Sequence, residues 1–314
     1  MKFNPVFPSD YQRLKFYARN QCHPLCVYSL PCALVWYNAH YHPVAAEQEG
    51  LLLVAGNFPA APQRNHLILP FVPKSNPHLV PERLWQLAQN AGYSQYCSVP
   101  QTYLSEFPRD SISRWFHVSR QKEFDDYVYR QSDLAKLRGN RYAKKRNLIN
   151  QFQRDYLDTE RVTLETICES NSSECLDFLE QWCAERDCAP EDNLDLACEK
   201  DAATHMLNHI ELMDVQGLLA RVDGQVQAFA VGARLTATMG VLHFEKAASD
   251  IKGLYQYFDR ECARRLFAGY DTINKESDMN EPGLARAKKS YHPIYRVRAY
   301  KLQLKESPSL RPAP

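Results

Sequence analysis

The spacing of apolar residues changes period several times along this chain, and each change marks an element. "SDYQRLKFYARNQ" (9–21) reads as a capped helix, and "CALVWYNAHYHPVAAEQEGLLLVAG" (32–56) with "NHLILPF" (65–71) reads as strands broken by turns. Pro81 opens "PERLWQLAQNAG", where Leu84, Leu87, Ala88 and Ala91 share a face and Gly92 supplies a stop. Further on, the segment 136–146 starts a helix with an apolar stripe of Tyr142, Leu148, Ile149 and Phe152. An acidic amphipathic helix follows with Leu176, Leu179, Trp182 and Cys183 inward, then another around Met206, Leu207, Ile210 and Met213. "GLLARVDGQVQAFAVGARL" (217–235) is a β-hairpin, because Asp223–Gly224 suits a two-residue type I′ turn between apolar runs. "MGVLHFEKA" (239–247) is a third strand. From Gly253 a helix carries Leu254, Phe258, Cys262 and Leu266 at i, i+4 spacing. The short strand "YDTIN", a short helix from Gly283 and the strand "YRVRAYKLQ" complete the order.

Two halves emerge, each opening with helix and continuing into strands. The second runs helices, antiparallel meander, helix, strand, helix, strand, which is the layout of the GNAT acyltransferase fold. In that fold the strands before and after the central helix diverge, and the acyl donor lies in the opening. The tail "ESPSLRPAP" has no apolar period and is expected to be disordered.

Composition narrows the partners. With 314 residues and 45% hydrophobic content the chain can bury real cores, and Lys+Arg 38 against Asp+Glu 37 gives no general field for nucleic acid or anionic membranes. Two local patches oppose each other: "KLRGNRYAKKR" (136–146) has six basic residues and no acidic one, while 174–201 is strongly acidic. No apolar run is long enough to span a bilayer and no N-terminal apolar leader is present, so the expected location is cytoplasmic. The ten cysteines then read as reduced thiols. Neither Cys22, Cys26 and Cys32 near His23, His40 and His42, nor Cys183, Cys188, Cys198 and His205, has the paired spacing of a structural zinc site, and no metal is expected.

Three segments carry candidate chemistry. In "HFEKAASDIKGLYQ" (243–256), Gly253 at a helix start would let the main chain meet an anionic donor. The acetyl-CoA pattern Q/R-x-x-G-x-G/A would fall on Asp250, Gly253 and Tyr255, which lack its outer residues; the plainer reading is a helix start. On the strand, His243 and Glu245 alternate onto one face, with Leu242 and Phe244 on the other. Either His243 or Glu245 would serve as general base, against the plainer reading of a solvated face. In "NKESDMNEPGLARAKKSYHP" (274–293), Asn274, Glu276 and Asp278 leave a strand end toward the same opening. Carboxylates there would bind an amino group, Arg286 and Lys288 a phosphate, and Tyr291 the acceptor or oxyanion. Finally, the cations of 136–146 would track tRNA phosphates with Tyr142 stacking on a base, although a charge run is more often a wet helix face.

"LRGNRYAKKRNLINQF", "HFEKA", "KGLYQ" and "INKESDMNEPGLARAKKSYHP" together resemble a family of stand-alone bacterial proteins of unassigned function, similar to the C-terminal catalytic domain of phosphatidylglycerol lysyltransferases. The resemblance spans roughly residues 10 to 302 and implies an α+β architecture of tandem GNAT-like domains with mostly antiparallel mixed sheets flanked by helices. Their expected limits are 1–130 and 131–305, the second carrying the site, with 306–314 as the tail. It implies an aminoacyl- or acyltransferase that takes its group from aminoacyl-tRNA, or alternatively acyl-CoA, neither tightly bound. The acceptor would be a small molecule, peptide or lipid carrying an amine or hydroxyl. The pattern covers Lys145, Arg146 and Asn147, with Lys144 beside them; Glu245, Lys246, Gly253 and Gln256; and Asn274, Glu276, Asp278, Gly283, Lys288, Ser290, Tyr291 and Pro293. The sequence departs from it where Asn280 replaces a common Gly and Ala285 a common Arg, Arg286 coming one residue late and so about 100° around the helix. A scaffold that binds ligand without catalysis remains an alternative.

Overall fold

A computed structural model describes residues 1–73, 79–186 and 194–306. The tail expected to be disordered, and Cys188, lie outside the described residues. The chain forms β1 (Asn4–Pro5), β2 (His42–Gln48), β3 (Leu51–Asn57), β4 (His66–Leu67), β5 (Gln95–Pro100), β6 (Phe116–Arg120), β7 (Asp126–Arg130) and β8 (Val162–Thr166). There follow β9 (Val215–Val222), β10 (Gln225–Arg234), β11 (Met239–Ala247), β12 (Thr272–Asn274), β13 (Tyr295–Val297) and β14 (Ala299–Leu304). They build two seven-stranded sheets, ordered β1-β2-β3-β4-β5-β14-β6 and β13-β7-β12-β11-β10-β9-β8. Among the described residues only the pairs β4–β5 and β11–β12 are parallel. The helices are α1 (Tyr11–Ala18), α2 (Leu30–Val35), α3 (Pro81–Ala91), α4 (Gln101–Ser105), α5 (Arg109–Ser113), α6 (Gln131–Lys136), α7 (Ala143–Phe152), α8 (Glu169–Ala184), α9 (Leu194–Asn208), α10 (Leu254–Arg265) and α11 (Pro282–Lys289). This is the expected α+β class of two mostly antiparallel, helix-flanked sheets. No helix among the described residues is long and apolar enough to cross a membrane.

Several local expectations hold for the stated reasons. Gly92 ends α3 with φ 77°, a left-handed value that costs glycine nothing. Asp223 and Gly224 both have positive φ, as a type I′ turn requires. Others are corrected. Residues 30–35, read partly as strand, are helical, with Pro31 in the first turn, where its missing N–H leaves no bond unmade. The basic segment is not one helix: Leu137 and Gly139 take positive φ, and α7 starts only at Ala143. The last strand is two, and the chain passes between the sheets at Arg298: β13 pairs with β7 in the second sheet, whereas β14 inserts between β5 and β6 of the first. β7 in turn belongs to the second sheet, beside β12.

The packing matches this exchange. One face of the second sheet closes on α6, α7 and α10 through Leu218, Ala228, Leu242, Phe152 and Phe258. Its other face, with Phe229, Val231, Val241 and Phe244, merges into the core that holds Tyr28, Leu34, Leu52 and Tyr96 of the first half.

Candidate functional site

β11 and β12 pair only from Met239–Thr272 to Val241–Asn274, after which β11 runs on to Ala247 paired with β10 alone. That divergence makes the opening, and two backbone features sort the polar side chains around it. The register between β10 and β11 slips: Val231 lies opposite Phe244 and Gly232 opposite Leu242, leaving His243 as the extra residue of a bulge. The expected alternation is thereby overturned. Leu242 packs with α10, Phe244 packs in the opposite core, and His243 and Glu245 part company. The second feature is Glu276, whose φ of 57° turns the chain so that Lys275 and Glu276 serve different neighbours.

On the α10 side, the Lys275 ammonium lies between Glu245 Oε2 at 3.0 Å and Asp259 Oδ1 at 2.6 Å. Both carboxylate side chains are buried, Glu245 being 5% exposed and Asp259 2%, and Lys275 is nearly so at 12%. The other oxygens, Glu245 Oε1 and Asp259 Oδ2, and the Tyr291 hydroxyl are buried without a hydrogen-bond partner. Burial and the neighbouring Asp259 charge push the Glu245 carboxyl up to about 7, against the pull of Lys275. Burial works against the Lys275 charge, but Asp259 and Glu245 outweigh it and raise its pKa. Burial, with Asp259 next, pushes the Tyr291 phenol well up, so it carries its proton. Lys145 closes this chamber: its ammonium stands 3.8 Å from the Tyr291 ring centroid and donates to Ser290 Oγ at 2.7 Å, and burial lowers its pKa.

On the first-half side, His243 Nδ1 meets Glu276 Oε1 at 2.8 Å and Nε2 meets Ser29 Oγ at 2.9 Å. The His243 side chain is 1% exposed, which withdraws it from an acceptor in the opening. Asn274, fully buried, donates to Pro24 O and to Asp126 Oδ2, each at 2.8 Å, and accepts from the Glu276 N–H at 2.6 Å. Burial pushes Asp126 up to about 6. Cys32 joins this group: its thiol, His243 and Glu276 offer ligand atoms all within 4.8 Å of one another, a set that could hold a metal ion. Both ring nitrogens of His243 are already hydrogen-bonded, however, so a metal would have to displace Ser29 or Glu276.

The remaining expected residues spread out. Asp278 is buried, accepting from the Tyr127 hydroxyl and from the Asn280 N–H at 3.1 Å. Lys288 spends its ammonium on the carbonyls of Lys275 and Ser277, and Arg286 is exposed on α11. Lys246 leaves the opening for Glu199 at 2.8 Å and the Trp182 ring. Gly253, at φ 87°, is required by packing, because a β-carbon there would run into the Leu148 carbonyl of α7. Gln256 is half-buried on α10. In the basic segment Lys144 is exposed, but Arg146 caps the carbonyls of Leu137 and Gly139 at 2.6 and 2.7 Å. Tyr142 is buried with its hydroxyl on Tyr291 O, which removes it as a stacking platform. Sequence reasoning missed Asp259, Lys275 and Ser29. A carboxylate beside Phe258 and Cys262 on an apolar helix face was the available signal for Asp259; nothing local marks Ser29.

The chain matches the family described as phosphatidylglycerol lysyltransferase, C-terminal, over residues 31–302. No curated protein matches it. Among solved structures it is similar to a conserved protein of unknown function from Bacteroides thetaiotaomicron, with 24% identity, 97% of this chain and 100% of that one covered, and a TM-score of 0.84. It is also similar to the C-terminal domain of a protein assigned as a lysylphosphatidylglycerol synthetase from Agrobacterium fabrum, with 17% identity, coverage of 94% and 91%, and a TM-score of 0.61. A tandem GNAT protein from the clavulanic acid biosynthesis pathway aligns over 98% of this chain and 99% of its own at 9% identity and a TM-score of 0.43. Since the family match runs from α2 to β14 and takes in Glu245, Asp259, Lys275 and Tyr291, this chain belongs to the family of the phosphatidylglycerol lysyltransferase C-terminal domain.

Proposed function

We propose that the protein is an acyltransferase working in the α10-side chamber, with aminoacyl-tRNA as donor and an amine or hydroxyl, including that of a lipid, as acceptor. The observation that carries this reading is the convergence of three buried, unpartnered polar atoms, Glu245 Oε1, Asp259 Oδ2 and Tyr291 OH, around Lys275 at the mouth of the diverging strands. Buried polar atoms without partners are costly unless a ligand completes them. Glu245, titrating near neutrality, takes the acceptor's proton as its nitrogen or oxygen attacks the donor carbonyl. The Tyr291 hydroxyl donates to the oxyanion that forms. As the tetrahedral species collapses, the bond to the donor's leaving oxygen breaks and Glu245 returns the proton to it. Asp259 Oδ2 suits the ammonium of the aminoacyl group. Asp250 and Tyr255 stand where the acetyl-CoA pattern around Gly253 has Gln or Arg and a small residue, which favours the tRNA donor over acyl-CoA.

A non-catalytic ligand-binding reading draws on Lys275, a residue of the chain itself that already occupies one oxygen of each carboxylate. The two separate in one experiment. The purified protein is titrated with mixed tRNA and with CoA at several salt concentrations, then supplied with aminoacyl-tRNA and lipid or peptide acceptors. Salt-sensitive tRNA binding that weakens in Lys144→Ala, with product that vanishes in Glu245→Gln, supports transfer. CoA binding alone moves the donor to acyl-CoA, and ligand binding with no product from the unaltered protein favours the binding reading.

A further inference from the structure

We propose that Ser29, supplied by the first half of the chain, is a positioning residue of the chamber: through His243 and Glu276 it fixes the turn that delivers Lys275 between Glu245 and Asp259. The inference rests on the proposed function only in treating that chamber as the reaction site.

Ser29 stands at the N-cap of α2, a position where a serine hydroxyl ordinarily accepts a bond from its own helix. This one makes no such bond; it is 1% exposed and meets His243 Nε2 at 2.9 Å instead. A carboxylate only accepts, so in the neutral ring the proton sits on Nδ1 and is donated to Glu276, while Nε2 accepts from the Ser29 hydroxyl. Glu276 therefore sets the tautomer, and the Ser29 hydroxyl, by engaging the other nitrogen, fixes the tilt of the ring. His243 can reach across to the first half only because the bulge lifts it out of the strand's alternation.

Glu276, at the far end, is held in a left-handed conformation unfavourable for a residue with a side chain. Three bonds hold it there: the carboxylate on His243, the N–H on Asn274 Oδ1, and the carbonyl, which accepts from the Tyr127 N–H of β7 at 3.1 Å. A strained residue determined from both sides is a common device at functional sites. Its neighbour Lys275 then has one direction open, into the chamber. Releasing Ser29 frees the ring, slackens the Glu276 turn and loosens the ammonium that holds Glu245. The first half thus acts on the reaction centre without contributing a group to it.

The test reads the chamber with no substrate present, so it stands or falls apart from acyl transfer. Protein carrying 13C-labelled glutamate carboxyls is titrated by NMR, and the Glu245 signal, assigned by its loss in Glu245→Gln, is followed in the wild type, Ser29→Ala and Ser29→Thr. The charged and titrating groups facing Glu245 are Asp259, Lys275 and Lys288, with Tyr255, Cys262 and Tyr291 beside them. With Lys275 less firmly held, the Glu245 midpoint moves upward by about one pH unit in Ser29→Ala, and Ser29→Thr restores it. The melting temperature falls by only a few degrees, because one buried hydrogen bond, that to His243 Nε2, is lost and no helix cap with it. Should Ser29→Ala fail to fold, His243→Asn, which keeps an N–H toward Glu276 and drops the link to Ser29, must give the same rise. An unchanged midpoint in a folded Ser29→Ala or His243→Asn protein overturns the proposal.

Discussion

Glu245 and Tyr291 differ in what their removal costs, and the difference separates a working group from a structural one. As base, Glu245 acts only as the carboxylate, so activity rises with pH through about 7 and levels off above it. Glu245→Gln is expected to lower product formation by roughly 10²- to 10⁴-fold and to abolish that limb of the profile, as a pH–rate series on both proteins would show. Tyr291→Phe removes a buried hydroxyl that bonds to nothing, so stability stays level or rises slightly, while turnover falls by roughly 10²-fold through loss of the oxyanion donor. Thermal melting alongside initial rates checks both halves of that statement; a strongly destabilised Tyr291→Phe would mean that the hydroxyl has a structural partner. At this scale the sequence showed the types of residue but not their partners. Glu276 and Asp278 looked like the carboxylates for an amino group, yet His243 and Tyr127 claim them, whereas Glu245 and Asp259 keep a free oxygen each. Which carboxylate is spoken for depends on contacts as distant in sequence as Ser29 and His243.

Among the elements, local signals were readable wherever the chain's own chemistry decides the conformation. The Asp223–Gly224 turn, the Gly92 stop and the start of α10 at Gly253 follow from backbone preference and are found. The bulge at His243 is a property of the β10–β11 pairing, and a regular alternation of side chains on β11 gave no hint of it. The two glycines make a quantitative contrast. Nothing lies within 4 Å of a β-carbon built on Gly224, so Gly224→Ala carries only the left-handed penalty of about 1 kcal/mol. A β-carbon on Gly253 meets the Leu148 carbonyl as well, so Gly253→Ala adds a clash with backbone that cannot swing aside and costs roughly 3 kcal/mol or more. Urea midpoints of the two variants should differ accordingly, and equal midpoints would show that α7 can retreat from α10.

For the molecule as a whole, the strand exchange decides whether the halves can stand apart. The parent sequence reads as two units meeting near residue 130, and its apolar pattern contains no sign that β7 and β14 lie in sheets formed mainly by the other half. Strand membership is a long-range choice: "YRVRAYKLQ" is as good a strand in one sheet as in two. A fragment of residues 131–305 would therefore carry β14 without β5 and β6, exposing its apolar face, and would lack β7, leaving β12 and β13 with no strand between them. It would also uncover the second-sheet face that holds Phe229, Val231 and Phe244, which shares one core with Tyr28 and Leu34. An apolar surface of that kind promotes aggregation. The expected outcome is that the fragment is insoluble or lacks a cooperative thermal transition, while the full chain melts in a single step, both followed by circular dichroism. A fragment that melted cooperatively by itself would mean that Asp126–Arg130 is dispensable to the second sheet, and it would detach the opening from the half of the chain that supplies Ser29.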